Sequence, residues 1–217
     1  MTTTSTLTNL REVGGADFQA GRRRTVFRSN TEPDVPASAY PADVTVVDLR
    51  RDDEVDHVPH PLRNSGRYLG VPLFDPSTAE SGAEAVELEE QYTDWLTRHA
   101  SGIADALRAV AGSDGDVLVC CSAGKDRTGV VSALLARLWG ASTERIGEDY
   151  AASAEGLAER FSRERAVSAE PAATAVAQRC VPETMRTVIA HVEQRWGSVE
   201  DYLRSIGLSD AEIDALR

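Results

Sequence analysis

Apolar positions along the chain follow two different periods. Short runs that are apolar almost throughout occur at 25–28, 44–49, 68–73 and 117–120. Runs of that length bounded by turn residues read as buried strands. Elsewhere the spacing is helical. Ile103, Ala106, Leu107, Val110 and Ala111 share one face, as do Ala85, Leu88, Tyr92 and Trp95 upstream, with Glu84, Glu87, Glu89 and Glu90 as a solvated outer stripe. Residues 130–139 are apolar nearly all round and Gly140 follows, which predicts a buried helix with a glycine stop. Near the end, Ser198 with Asp201 and Ser209 with Glu212 look like capping boxes. Val199, Tyr202, Leu203 and Ile206 form the buried stripe of the first of those helices, and Gly207 ends it. Segment 31–43 holds three prolines and reads as a loop. Arg22, Arg23 and Arg24 read as a solvated turn. Short strands separated by crossovers predict an α/β fold, a mostly parallel central sheet flanked by helices on both faces. In such a sheet ligands bind outside the carboxyl ends of the strands.

Composition narrows the field. Of 217 residues, 41% are hydrophobic and 27% charged, ordinary globular usage that allows a sizeable core. A single domain over 9–217 is expected, after a Thr-rich, disordered tail at 1–8. That tail lacks the basic and apolar regions of a signal peptide. The formal net charge of −12 disfavours nucleic acid and flat docking on anionic lipid as partners. No apolar run reaches the ~18 residues of a membrane span. Three cysteines, two of them adjacent, make no disulfide framework, so a reducing cytoplasm is the default location.

Lys125 is the only lysine in the chain. It lies in Cys120-Cys121-Ser122-Ala123-Gly124-Lys125-Asp126-Arg127-Thr128-Gly129, between a strand end and a helix start. Unpaired N–H groups there carry partial positive charge and suit an anion. A thiol at the strand end sits at the centre of a ring of loop amides, those of Ser122, Ala123, Gly124 and Lys125 among them. Arg127, six positions on, folds its planar fork over the same ring and matches two oxygens of a phosphoryl group. These groups should all depress the pKa of Cys121. Its thiolate then attacks phosphorus, and water later hydrolyses the phosphocysteine. The same amides and Arg127 stabilise charge on the equatorial oxygens. Thr128 donates its hydroxyl to the departing sulfur, and no metal or cofactor is needed. Competing patterns fail. A Walker A loop would need Gly and Ser or Thr where Val119 and Asp126 stand. A thioredoxin motif needs two residues between its cysteines. Zinc would need ligand spacing that adjacent cysteines and histidines at 57, 60, 99 and 191 do not offer.

The segment resembles the Cys-x5-Arg signature of the cysteine-dependent tyrosine phosphatase superfamily. More narrowly, Cys-Ser-Ala-Gly-Lys-Asp-Arg-Thr-Gly is similar to the loop of the bacterial tyrosine-phosphatase-like family, which includes lipid phosphatases. Four further stretches resemble that family: Asn9-Leu10-Arg11-Glu12-Val13-Gly14-Gly15, Phe27-Arg28-Ser29, Val46-Val47-Asp48-Leu49-Arg50, and Trp196-Gly197-Ser198-Val199-Glu200-Asp201-Tyr202-Leu203. The matches run from residue 9 to the end.

The resemblance implies a phosphatase fold, with helices within 80–98 and 150–180 able to cover the site as a lid. It implies a phosphorylated substrate: a phosphotyrosine protein, a phosphoinositide, or a small phosphomonoester such as a sugar or nucleotide phosphate. Lys125 beside Arg127 supplies a second cation, a pairing associated in the family with phosphoinositides. Asp126, inside the loop, is implied as general acid, though helix capping would explain it too. Asp75, at the end of the 71–76 run, is the alternative. Asp48 is expected to hold Arg28 or Arg50. Where the family has His before the nucleophile, this chain has Cys120. That departure leaves open a catalytically weak phosphate-binding module, and predicts that Cys120→His raises activity near neutral pH. It also raises a redox role, in which Cys120 or Cys180 traps an oxidised Cys121 as a disulfide. Some relatives leave the cell without a cleaved signal, so secretion stays open beside the cytoplasm.

Overall fold

The computed structural model describes residues 7–15, 18–32, 34–74 and 87–217. Most of the expected tail, residues 1–6, lies outside the described residues. So does 75–86, with Asp75, Glu84 and Ala85.

Five strands form one sheet: β1 (Arg11–Glu12), β2 (Val26–Ser29), β3 (Thr45–Asp48), β4 (Tyr68–Gly70) and β5 (Val117–Cys120). Their order is β1-β2-β5-β3-β4, and every pairing is parallel except that of β1 with β2. Strand β1, of two residues, is too short to show a period, and sequence reasoning missed it. Strand β4 ends before Leu73, but Val71 N–H and Leu73 N–H still bond the carbonyls of Asp48 and Leu49 at 2.9 and 3.2 Å. The expected run is there in looser form.

The helices are α1 (Asp52–His57), α2 (Leu88–Arg98), α3 (Ala100–Ala111), α4 (Asp126–Leu138), α5 (Thr143–Ala151), α6 (Ser153–Gly156), α7 (Ala158–Val167), α8 (Pro171–Ala177), α9 (Pro182–Trp196), α10 (Val199–Ser205) and α11 (Asp210–Leu216). Both Ser caps at the end form, at α10 and α11. Gly140, at φ 89°, follows α4 in the left-handed conformation that glycine adopts freely.

Strand alternation splits the core between two faces. Val47, Val117 and Val119 join the larger cluster, beneath α2, α3, α4, α5, α9, α10 and α11. Val46, Leu118 and Cys120 join a smaller one with Val35, Tyr40 and Val44. Among the described residues, the second face is covered by the 31–44 segment rather than by long helices. Helices on both faces of the sheet were expected. The proline-rich segment takes their place because it carries enough apolar side chains to seal a face only a few strands wide. Each fully buried aliphatic side chain here contributes about 1.5–3 kcal/mol.

Two surface expectations are corrected. Arg24 is 9% exposed and donates to the carbonyls of Val110 and Ala215, closing helix ends rather than facing water. Glu89 accepts from Arg179 at 2.5 Å and Thr184 at 2.7 Å, and Glu87 from Arg179 at 3.2 Å. Glu89 is a contact between α2 and the start of α9, while Glu87 and Glu90 stay exposed.

Candidate active site

Strand β5 is the middle strand, and its register puts Cys120 level with Ser29 of β2 and Asp48 of β3. The chain leaves all three strands at one edge, so the segments after β2, β3 and β5 converge there. The loop at 121–125 therefore emerges between two walls and feeds α4.

What shapes the loop is the fate of its carbonyls, each of which from 120 to 125 has a partner outside the loop. Leu49 N–H takes that of Cys120 at 2.8 Å, and Thr31 Oγ1 that of Cys121 at 3.1 Å. Ser122 O accepts from Thr31 N–H at 3.0 Å and from Arg160 at 2.8 Å. Asn9 Nδ2 spans the carbonyls of Ala123 and Gly124 at 3.0 and 3.1 Å. Arg28 reaches those of Gly124 and Lys125 at 2.9 and 3.4 Å. Among the described residues, no oxygen accepts from the N–H groups of Ser122, Ala123, Gly124 or Lys125. Carbonyls turned outward leave the amides turned inward, an arrangement that favours an anion.

The outer supports are themselves held. Arg28 is 1% exposed and pairs with Asp149 at 2.7 Å, and Asp149 also binds Arg11 at 2.8 Å. Burial opposes the Asp149 charge, but the two guanidiniums overcome it and hold its pKa below the usual carboxylate range. Gly124 has φ 67°, and a Cβ there would lie 2.2 Å from Ser29 O. Only glycine lets the loop pass this close to β2. Asp48 binds Arg50 at 2.7 Å and accepts from Tyr68 at 3.0 Å, so of the two arginines expected for it, it holds Arg50.

Cys121 follows β5 directly, is 2% exposed and belongs to the larger hydrophobic cluster. Arg127, in the first turn of α4, is close enough to feel the sulfur's charge. Its two terminal nitrogens bind Glu54 of α1 at 2.6 and 2.8 Å, and its guanidinium lies 5.2 Å from the Phe74 ring centre. Burial works against the Arg127 charge, but Glu54 and Cys121 outweigh it and raise its pKa above the usual value. Trp95 stands 4.8 Å from Phe74, centre to centre, and both rings are half-buried. A cleft of about 330 Å³ runs from Ser122 between α1 and α7, past Thr31, Glu32, Glu54, His57, Arg160 and Arg163.

Lys125 is 1% exposed. Its ammonium binds the carbonyls of Ala177 and, at 3.3 Å, Arg179, and pairs with Asp126 Oδ1 at 3.0 Å. That places its charge behind the helix start. Asp126 is a third exposed and also accepts from Tyr92. Thr128 Oγ1 is buried without a hydrogen-bond partner among the described residues. Cys120 points to the opposite face. Burial, then Asp48, pushes its thiol pKa well up, and burial pushes Cys180 to about 11. Two thiols held protonated are poor partners for a redox bridge.

Sequence reasoning missed Glu54, Arg160 and Tyr92. Asn9 and Arg28 lay within the flanking motifs, without an assigned task.

The tyrosine phosphatase family model matches residues 2–217. The chain belongs to this family. Among its relatives in the tyrosine phosphatase family is the tyrosine-protein phosphatase of Nostoc commune. It is 31% identical over 194 residues, covering 79% of this chain and 64% of the relative. The triple specificity protein phosphatase PtpB of Mycobacterium tuberculosis is 26% identical over 194 residues, covering 78% of this chain and 69% of PtpB. Among the described residues, no helix is long and apolar enough to cross a membrane.

Proposed function

We propose that the protein is a phosphomonoester hydrolase that works through a phosphocysteine at Cys121. The observation that carries this reading is the loop whose carbonyls all bond outward while its amides meet no acceptor oxygen among the described residues. In the first step the Cys121 thiolate attacks phosphorus and the bond to the leaving oxygen breaks. Asp126 gives that oxygen its proton. In the second step water attacks phosphorus, the S–P bond breaks, and Asp126 takes the water's proton. Thr128, with its unpartnered hydroxyl, donates to the departing sulfur. The amides of Ser122, Ala123, Gly124 and Lys125, with Arg127, hold the equatorial oxygens in both steps. Lys125 contributes its backbone amide, since its ammonium is engaged elsewhere. Glu54 sets the plane of the Arg127 fork. No step calls for a metal, because the guanidinium and amides supply the positive charge.

Phosphotyrosine is the leading substrate, since Phe74 and Trp95 beside Arg127 offer an aromatic wall to a phenyl ring. Phosphoinositides and small sugar or nucleotide phosphates are the alternatives, and the charged side chains along the cleft beyond Ser122 favour them. Helices α7 and α8 form the lid: α8 is exposed along its length, and α7 reaches the loop through Arg160. The 2% exposure of Cys121 favours a second reading, a phosphate-binding module with little turnover.

The test is hydrolysis of 4-nitrophenyl phosphate, with and without chelator, by the native protein and Cys121→Ser. Turnover that ignores the chelator and disappears in the Ser variant supports the hydrolase. Inorganic phosphate binding without turnover in either protein supports the module. Turnover that survives Cys121→Ser rejects the phosphocysteine. A panel of phosphopeptides, inositol phosphates and sugar phosphates then ranks the substrates.

A further inference from the structure

Behind the first turn of α4, two buried tyrosines that the reaction above does not use lead to Asp126. Tyr92 of α2 is 0% exposed and Tyr150 of α5 is 1% exposed. Their hydroxyls are 3.1 Å apart. The Tyr92 hydroxyl also contacts Asp126 Oδ1, and the Tyr150 hydroxyl lies 3.3 Å from the carbonyl of Arg179. That carbonyl and Asp126 Oδ1 are joined from the other side by the Lys125 ammonium.

Proton counting fixes the direction of the chain. Each phenol has one proton to donate, and Asp126 Oδ1 can only accept from Tyr92. Tyr150 has one proton for two contacts, the Tyr92 hydroxyl at 3.1 Å and the Arg179 carbonyl at 3.3 Å, and donates to Tyr92 when Lys125 serves that carbonyl. Donor follows donor toward the carboxylate, and each bond polarises the next. Burial first, then the Asp126 charge, raises the Tyr92 pKa well above its ordinary value, so the phenol remains a donor at any working pH.

Given Asp126 as the proton donor proposed above, we infer that Tyr92 is its positioning residue and decides which carboxyl oxygen carries the proton. Tyr92 and Lys125 both donate to Oδ1. A proton therefore enters and leaves Asp126 at Oδ2, to which no described residue donates. Oδ1 keeps its two bonds whether the group is charged or neutral, so the carboxyl does not turn between the two steps. Tyr150 acts only through Tyr92.

The leaving-group dependence of kcat tests this, measured on aryl phosphates from 4-nitrophenyl to phenyl. General acid catalysis contributes about 10²–10⁴-fold, most where the leaving group is poor. Tyr92→Phe should lose about tenfold on phenyl phosphate and under about twofold on 4-nitrophenyl phosphate, with KM unchanged, a fraction of that acid contribution. Tyr150→Phe should keep the native dependence, because the Tyr92 bond to Oδ1 survives. Asp126→Asn separates the two layers. If Asp126→Asn leaves the dependence flat, Asp126 is not the acid and its positioning falls with it. If Asp126→Asn steepens the dependence and Tyr92→Phe does not, Asp126 stands and the role of Tyr92 is refuted. An equal loss by Tyr92→Phe on every substrate marks a structural role and overturns the inference. A Tyr92→Phe protein too unstable to assay has the same meaning if Tyr150→Phe also steepens the dependence.

Discussion

Asn9→Ala is the sharpest probe of the idea that outward carbonyls make the anion site. The Asn9 amide is 1% exposed and spans the carbonyls of Ala123 and Gly124. Its removal leaves the Gly124 carbonyl with Arg28, but takes from the Ala123 carbonyl its only described partner. An unsatisfied buried acceptor costs about 1–3 kcal/mol. For a chain of this size about 2–4 °C of melting temperature is lost per kcal/mol, so Tm should fall roughly 2–12 °C. The functional loss is separate. A carbonyl freed to turn inward presents negative charge to the phosphoryl oxygens, and one lost donor at such a site costs about 10²–10³-fold in kcat. Asn9 acts one bond away from such a donor, so about tenfold is expected, or about 1.4 kcal/mol. Thermal melts give the first number. Inhibition by vanadate, a phosphoryl mimic, and turnover of 4-nitrophenyl phosphate give the second. An Asn9→Ala protein that melts lower but keeps native vanadate affinity and turnover would show that the loop amides hold their direction without help, and the reasoning would be wrong.

Other expectations concern the loop, its arginine and the pH response. Gly124→Ala combines a left-handed φ with a Cβ pressed onto Ser29 O, so a stability loss of about 2–4 kcal/mol is expected in urea melts; a variant within error of native would contradict the close approach. Glu54→Gln keeps the shape at Arg127 but removes the charge, and kcat/KM should fall about tenfold with little change in Tm; equal activity would mean that Arg127 needs no counter-charge to stay aligned. His60 is 2% exposed and burial lowers its pKa to about 4. The unfolded chain binds its proton first, near pH 6.5, so the native state loses stability as pH falls from there toward 4. A shift of this size amounts to roughly 3 kcal/mol, and His60→Gln should flatten that part of a stability-against-pH curve; an unchanged slope rules His60 out as its source.

The centre of the site was legible because its parts are local. A strand end, a loop and a helix start lie within one short stretch, and the residue types at Cys121 and Arg127 carry the proposed chemistry wherever the rest of the chain goes. The core strands were equally readable, β5 being apolar throughout and β2 and β3 carrying the adjacent apolar pairs Val26-Phe27 and Val46-Val47. What escaped was set by distance along the chain. Glu54 reads as an ordinary acid in the first turn of a short helix until α1 is laid beside Arg127. Arg160 sits in an Ala-rich stretch with weak periodicity, and nothing there marks it as a partner of Ser122. Tyr92 was read as a core position, and it is one, yet its hydroxyl ends on Asp126. Charge stripes mislead for a related reason: Glu89 has the spacing of a solvated face, and only the path of the chain brings Arg179 across from it.

The burial of Lys125 has a practical side. With the chain's one side-chain amine sealed under α8, acylating reagents and aldehyde crosslinkers have no lysine to attack while that helix stays down. If α8 lifts as the proposed lid, each opening exposes this one side-chain amine, so the rate of modification at Lys125 clocks it.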